Sequence, residues 1–449
     1  MAPAVLGISF DGLAISGIVS ELVNAVELHR RRGRGVAVDL GYDIAFRRPS
    51  GEQFLPPWLD LVRAAGESLP KDYTPALVNE VFDRVVNGTS VAAMGVYEDI
   101  CNDLASRLVT TFDREGIRFL HVENGTLPDN PLFTEALYIA IREYGARQNF
   151  GKFVLWRDFD LMWSAEPHLY GPFPYPGVHK PEVSPYIHYA VVTDWMRKRM
   201  ETWARGPQYH VIPDRFFTLN STVHKRRSPR AAYGIPEDAF LIARCTRVIP
   251  QKSVERDLRL LDILQQQLRS EADPRRVFLF VCGRIDEEPD EFHHLRAVES
   301  SLSIAGQVIW ADGMLPFTAD PNVQREHFSV RDLLAESDLS SFLTTYDYEG
   351  FGNPPGEAMA AGVPFIATTY ELYEEVYGSK GAVAPLLPID RRSSPSDPIP
   401  EFFVAWVLRA LKDEQYRREI VTRNLDVCRR FFSLDALERQ LSEIFAGAW

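Results

Sequence analysis

EGFGNPPGEAMAAGVP, residues 349–364, sets two glutamates, Glu349 and Glu357, eight positions apart with glycines and prolines between them. The Gly/Asn/Pro run after Glu349 reads as an irregular loop. Glu357 reads as the opening of an Ala/Met-rich helix that Gly362 and Pro364 close. Upstream, LSSFLTTY (339–346) is apolar and β-branched, the pattern of a buried strand. The order is strand, glycine-rich loop, helix start, with a carboxylate at each end of the loop. Loop N–H groups and a helix N-terminus suit a phosphate. Carboxylates repel phosphate but accept hydrogen bonds from sugar and ribose hydroxyls. A ligand that presents hydroxyls, a diphosphate and hydroxyls in turn is a nucleotide sugar.

The bulk properties leave room for that ligand and exclude others. A chain of 449 residues is long for one core and predicts two domains. A net charge of −13 argues against a general nucleic-acid or anionic-membrane binder. The four cysteines, Cys101, Cys245, Cys282 and Cys428, lack metal-ligand spacing and read as reduced thiols of a cytoplasmic protein. No 18-residue apolar run predicts a membrane span, and MAPAVLGISFDG lacks the charge and apolar core of a signal peptide.

The first half alternates strand-like and helical stretches: AVLGISF (4–10), a helix from about 18 to 31, IRFLHVEN (117–124), a helix near 131–146, KFVLWRD (152–158), IHYAVVTD and YHVIP. A composition shift through the basic, Pro-punctuated HKRRSPR marks a linker within 214–236. AFLIARCTRV (239–248), RVFLFVCGR (276–284) and QVIWADGM then begin a second alternation, and the tail is helical and amphipathic. Strands interleaved with helices predict two doubly wound α/β domains, with ligands at the carboxyl ends of their strands.

Residues 349–364 resemble the two-glutamate signature of retaining glycosyltransferases of family 4, the group 1 glycosyltransferases, and the upstream SVRDLLAESDLSSFLTTYDYEGFG has that family's layout. The resemblance implies the GT-B fold: two Rossmann-like domains facing a cleft. It assigns 1–214 to the acceptor side, 215–425 to the nucleotide sugar and 426–449 to a last helix crossing back. It places Glu349, Gly350, Phe351, Gly352 and Asn353 on the donor sugar and phosphates and Glu357 on the ribose. In CTRVIPQKS, Arg247 and Lys252 are two cations about a proline turn, fit to neutralise a departing diphosphate. The family has an Arg and a Lys at this spacing; Thr246 stands where it usually has glycine. Two solvated surface cations are the plainer alternative.

DGLAISG (11–17) follows the first strand, but Gly12 and Gly17 make neither GxGxxG nor a Walker loop. In the family this loop lies near the donor phosphates. His121 and Glu123 share one side of their strand, His121 as a candidate for orienting a hydroxyl and Glu123 for the acceptor. Arg157 can pair bidentately with an acceptor carboxylate or phosphate. The family often has a histidine hereabouts that touches the donor sugar, where this chain has Arg157, Asp158 and Asp160. Asp158-Phe159-Asp160 spells a metal motif of the other major glycosyltransferase fold, in the wrong context, and Glu374 and Glu375 resemble a position bordering the donor site. The four tryptophans Trp156, Trp163, Trp195 and Trp203 read as core rather than sugar platforms.

The expectation is therefore a retaining hexosyltransferase using a GDP-mannose- or UDP-glucose-type donor, with a small sugar or glycoside acceptor. No protein-bound cofactor is required, Mg2+ or Mn2+ is compatible with the diphosphate, and so is a homo-oligomer. Mannosylglucosylglycerate synthases are one such subtype. An epimerase, a phosphorylase or a binding scaffold on the same fold are the alternatives.

Overall fold

The computed structural model describes residues 3–9, 17–40, 56, 58–66, 69–126, 130–159, 176–216, 228–285, 287–311 and 328–445. They fall into two compact units, Met1–Asp214 with Leu437–Trp449, and Arg215–Ala436. The second division lies at 436/437, so residues 426–436 stay with the second unit. Among the described residues, no helix is long and apolar enough to cross a membrane.

The first unit is built on seven parallel strands: β1 (Pro3–Ser9), β2 (Gly35–Asp39), β3 (Asp60–Leu61), β4 (Phe119–Glu123), β5 (Val154–Asp158), β6 (Ile187–Val191) and β7 (Tyr209–Val211). Their order is β3-β2-β1-β4-β5-β6-β7, which reverses direction between β1 and β4. β4 and β5 are buried at every residue, as strands covered on both faces must be. Thr74 caps helix Pro75–Val86, and Pro75 fits its first turn. Two single 3-10 turns, Val91–Ala93 and Gly95–Tyr97, lead into helix Glu98–Glu115. Helix Leu434–Ile444 closes the chain. Phe445 beyond it packs against Phe119 of β4 at 4.5 Å and His188 of β6 at 4.7 Å between ring centroids, and Glu438 pairs with Arg32 at 2.6 Å.

The second unit carries six parallel strands, β8 (Phe240–Cys245), β9 (Val277–Cys282), β10 (Val308–Ala311), β11 (Leu339–Phe342), β12 (Phe365–Thr368) and β13 (Leu386–Leu387). Their order, β10-β9-β8-β11-β12-β13, reverses between β8 and β11. Helix Val254–Ser270 buries Val254, Leu258, Leu261, Leu264 and Leu268 against this sheet, a run at i, i+4, i+7 spacing. The reversal leaves a crevice at the carboxyl ends of β8 and β11, where ligands of doubly wound sheets bind.

Candidate functional site

That crevice is assembled from the two loops that follow β8 and β11. After β8 the chain makes a 3-10 turn, Pro250–Lys252, passes through Ser253 in the left-handed region at φ +50, and enters helix Val254–Ser270. The turn presents Lys252. After β11 the chain runs through Thr344 and Thr345 to Glu349. Thr345 fastens one loop to the other: its amide and its hydroxyl donate to the Gln251 carbonyl at 3.2 and 2.9 Å. The result is a direct pair, Lys252 Nζ to Glu349 Oε1 at 2.7 Å, with Thr344 Oγ1 donating to the same oxygen at 2.7 Å. The side chains are only 13% and 7% exposed. Burial lowers the Lys252 pKa, Glu349 opposes that shift, and Arg247 adds to it.

Arg247, half exposed, bonds Glu287 at 2.8 Å and the Tyr348 hydroxyl at 2.5 Å. The Tyr348 ring lies 4.9 Å from Lys252 Nζ. Arg247, Lys252, Tyr348 and Glu349 thus form one cluster. Beneath it Arg244 donates to the backbone carbonyls of Lys252 and Ser341 and pairs with buried Asp257 at 3.1 Å, which fixes the turn from below. Gly283 makes the approach of β8's loop to β9's loop feasible, since a Cβ there would stand 1.8 Å from the Thr246 carbonyl oxygen. Gly283→Ala is expected to push residues 246–247 out of place and to lower the melting temperature by several degrees in a thermal unfolding measurement. An unchanged melting temperature would show that the two loops part without cost.

The helix after Glu349 differs from its sequence expectation. It spans Asn353–Ala361, so Glu357 lies in its second turn rather than at its opening. Pro354 and Pro355 occupy the first helical positions, where a missing N–H and a fixed φ are tolerated. They also remove two N–H groups from the helix start, leaving those of Gly350–Asn353 and Gly356 as the donors. Gly352 caps the helix at φ +87 with no side-chain capping bond. A Cβ there would come within 2.7 Å of the Tyr370 hydroxyl. Tyr370 and Tyr377 donate to the carbonyls of Phe351 and Gly352, both at 2.7 Å, which locks the loop while leaving its amides unclaimed by those side chains. Glu357 is close enough to Cys245 to add to a thiol pKa already raised by a hydrogen bond to Cys282 and by burial; its carboxylate therefore lies by the end of β8. Glu374 and Glu375 open a short helix, Tyr373–Val376, beyond β12.

The residues singled out in the first unit lie together, but inside the protein. Arg157 is 3% exposed, and its fork is spent on Glu21 at 3.1 Å, Asp214 at 2.6 Å and the Ile212 carbonyl at 3.0 Å. It is not free to grip an acceptor. Asp158 accepts from the amide and hydroxyl of Thr126 at 3.1 and 2.6 Å, and burial raises its pKa to about 6 against those bonds. Glu123 sits 3.8 Å from Arg157; burial pushes it to about 8, with Arg157 opposing and Glu21, Asp214 and Asp158 adding.

His121 is fully buried and meets His29 through Nε2 at 2.8 Å. The Arg34 guanidinium, 2.9 Å from His29 Nδ1, can only donate. The His29 proton therefore sits on Nε2, and His121 carries its own on Nδ1, which has no partner. Burial drops His121 to about 3, with Arg157 adding to the fall. His121 is a neutral core group, not a catalytic one. The sequence reading failed here because alternation gives the side of the strand but not the helix, Gly17–Arg31, that covers it. Gly17 begins that helix, while Gly12 and Asp160 lie outside the described residues. Tyr348, Thr344, Glu287 and Gly283 were missed; only a spatial neighbour distinguishes them from ordinary loop residues. Among the described residues, no group of three or more His, Cys, Asp or Glu is placed to hold a metal ion.

Comparison with known proteins places this geometry in a wider class. Over nearly the whole chain the fold is that of GT-B glycosyltransferases. WaaG, described as a glycosyltransferase involved in lipopolysaccharide biosynthesis, aligns at a TM-score of 0.56 and 14% identity, covering 99% of this chain and 100% of that one. A sucrose-phosphate synthase from Thermosynechococcus elongatus gives 0.59 and 14%, covering 98% of each chain. The trehalose-6-phosphate synthase OtsA gives 0.57 and 11%, again covering 98% of each. More specifically, residues 225–421 match the family model of Glycosyl transferases group 1, so the second unit carries a group 1 glycosyltransferase domain. No curated protein matches the sequence.

Proposed function

We propose that the protein is a retaining glycosyltransferase of the family 4 type. It would move a hexose from a GDP-mannose- or UDP-glucose-type donor to a hydroxyl of a small sugar or glycoside. The observation that carries this reading is the Lys252–Glu349 pair with Arg247 beside it, at the β8/β11 crevice of the group 1 domain. In this reading the donor diphosphate enters beside Arg247 and Lys252 and is met by the amides of Gly350–Asn353. Glu349 holds the hexose hydroxyls and Glu357 the ribose. As the bond between the anomeric carbon and the phosphate oxygen breaks, negative charge builds on the diphosphate, where preorganised cations act most strongly. The acceptor hydroxyl attacks from the face the diphosphate leaves, its proton passes to a phosphate oxygen, and the configuration is retained.

The test is a thermal-shift panel of UDP, GDP, ADP and their glucose and mannose conjugates. A ligand at 100 times its dissociation constant adds about 2.7 kcal/mol of stability, so the correct nucleotide is expected to raise the melting temperature alone. No shift with any of them would remove the donor site. The anomeric configuration of the product, read by proton NMR, tests retention separately.

A further inference from the structure

Outside the donor crevice, the first unit contains a pocket at the carboxyl ends of β4 and β5, and this proposal rests on the glycosyl-transfer reading above. Val85, Val91 and Val178 give it apolar walls, and Thr134, Glu135 and His179 supply polar groups. Its volume is about 60 Å3. One water needs on the order of 10–15 Å3 on that measure, so the space holds roughly four to six heavy atoms, the size of a three-carbon polyol or of the end of a longer one.

The polar groups are built rather than incidental. His179 is the outer ring of a three-ring stack: it lies on Tyr138 at 4.0 Å and 13°, and Tyr138 lies on Trp156 at 4.5 Å and 22°. Its Nδ1 meets Glu135 Oε2 at 2.7 Å. A carboxylate accepts, so Nδ1 carries the proton and Nε2 presents a lone pair. Among the described residues neither Nε2 nor Glu135 Oε1 has a hydrogen-bond partner. The Ser90 hydroxyl, which accepts from Ala93 N at 3.3 Å, retains its proton to donate. Two neighbouring acceptors and one donor match hydroxyls. They mismatch a carboxylate or phosphate, which only accepts, and the described lining includes no Lys or Arg to compensate.

We propose that this pocket is a binding subsite for a neutral polyol, with His179 Nε2 and Glu135 receiving its hydroxyl protons, and that it holds the hydroxylated end of the acceptor. The experiment is saturation-transfer NMR on the full chain at pH 8, with glycerol, erythritol and glycerate as probes. The variants are His179→Ala and, because Ala92 is an exposed lining residue, Ala92→Trp to obstruct the space. Glycerol and erythritol are expected to receive saturation from the wild type, glycerate is not, and both variants are expected to lose at least tenfold in affinity. Near-ultraviolet circular dichroism and the melting transition, measured on the same samples, report an intact first unit. Wild-type binding in both variants, glycerate binding as well as glycerol, or no polyol signal overturns the subsite. Polyol binding that both variants lose, without any nucleotide binding, supports the pocket and removes glycosyl transfer.

Discussion

Lys252→Ala is expected to lower turnover about a hundredfold or more, the loss that follows removal of one preorganised contact to developing charge, and to lower stability as well. The second effect comes from the pair itself. Without the ammonium, Glu349 keeps its carboxylate buried with the Thr344 hydroxyl still donating to it, and orphaning a buried charge costs about 3–5 kcal/mol. Lys252→Met combined with Glu349→Gln removes both charges while keeping their bulk, and should return the melting temperature close to that of the wild type. Turnover should remain lost. Parallel measurement of kcat and denaturant midpoint for the two variants separates the roles. Near-wild-type turnover in Lys252→Ala would exclude the lysine from the chemistry. An equal stability loss in the double variant would exclude the ion pair as its source.

Arg157→Met has the opposite profile: a large loss of stability unrelated to substrate. The guanidinium is set among Glu21, Glu123 and Asp214, all buried. Removing it leaves Glu21 and Asp214 buried beside Glu123 without the guanidinium, again about 3–5 kcal/mol by the same argument. The sign of the pH dependence follows from linkage. A carboxyl whose folded pKa is raised takes up protons on folding, so its contribution is fully present below the unfolded value of 4.5 and is lost as pH rises through the folded value. Glu123 titrates near 8 even with Arg157 present. Below pH 8 Glu123 is therefore mostly protonated in wild type and variant alike, so the variant's deficit is expected to change little between pH 5 and pH 7 and to widen as pH rises above 8, by urea unfolding at each pH. A loss independent of pH would mean that packing, not charge, is what Arg157 provides.

These two sites also mark what the sequence makes legible. Strand runs such as VFLFVC and, apart from Arg244, FLIARC are continuous and apolar because both faces of their sheets are covered, and they disclose the doubly wound class directly. Lys252 and Glu349 were readable because a proline turn and a glycine loop each follow such a run. Arg157 and Asp158 stand in the same kind of place, at the end of β5, and chain position alone suggests the same kind of role. What distinguishes them is invisible in one dimension: Glu21 and Asp214, distant in sequence, close over the arginine. The 3-10 turn that aims Lys252 and the prolines that start the helix at Asn353 were likewise decided by local geometry finer than hydrophobic period.

The placement of Phe445 has a consequence for biosynthesis. It seals the first unit by packing on Phe119 and His188, yet the ribosome makes it only after the whole of Arg215–Ala436. At about 5–20 residues per second, that interval is on the order of ten to fifty seconds. The unit begun first is thus finished last. Through that interval the nascent chain holds an open seat on its first sheet, a natural station for a chaperone and a window in which a truncated product would be recognised and cleared.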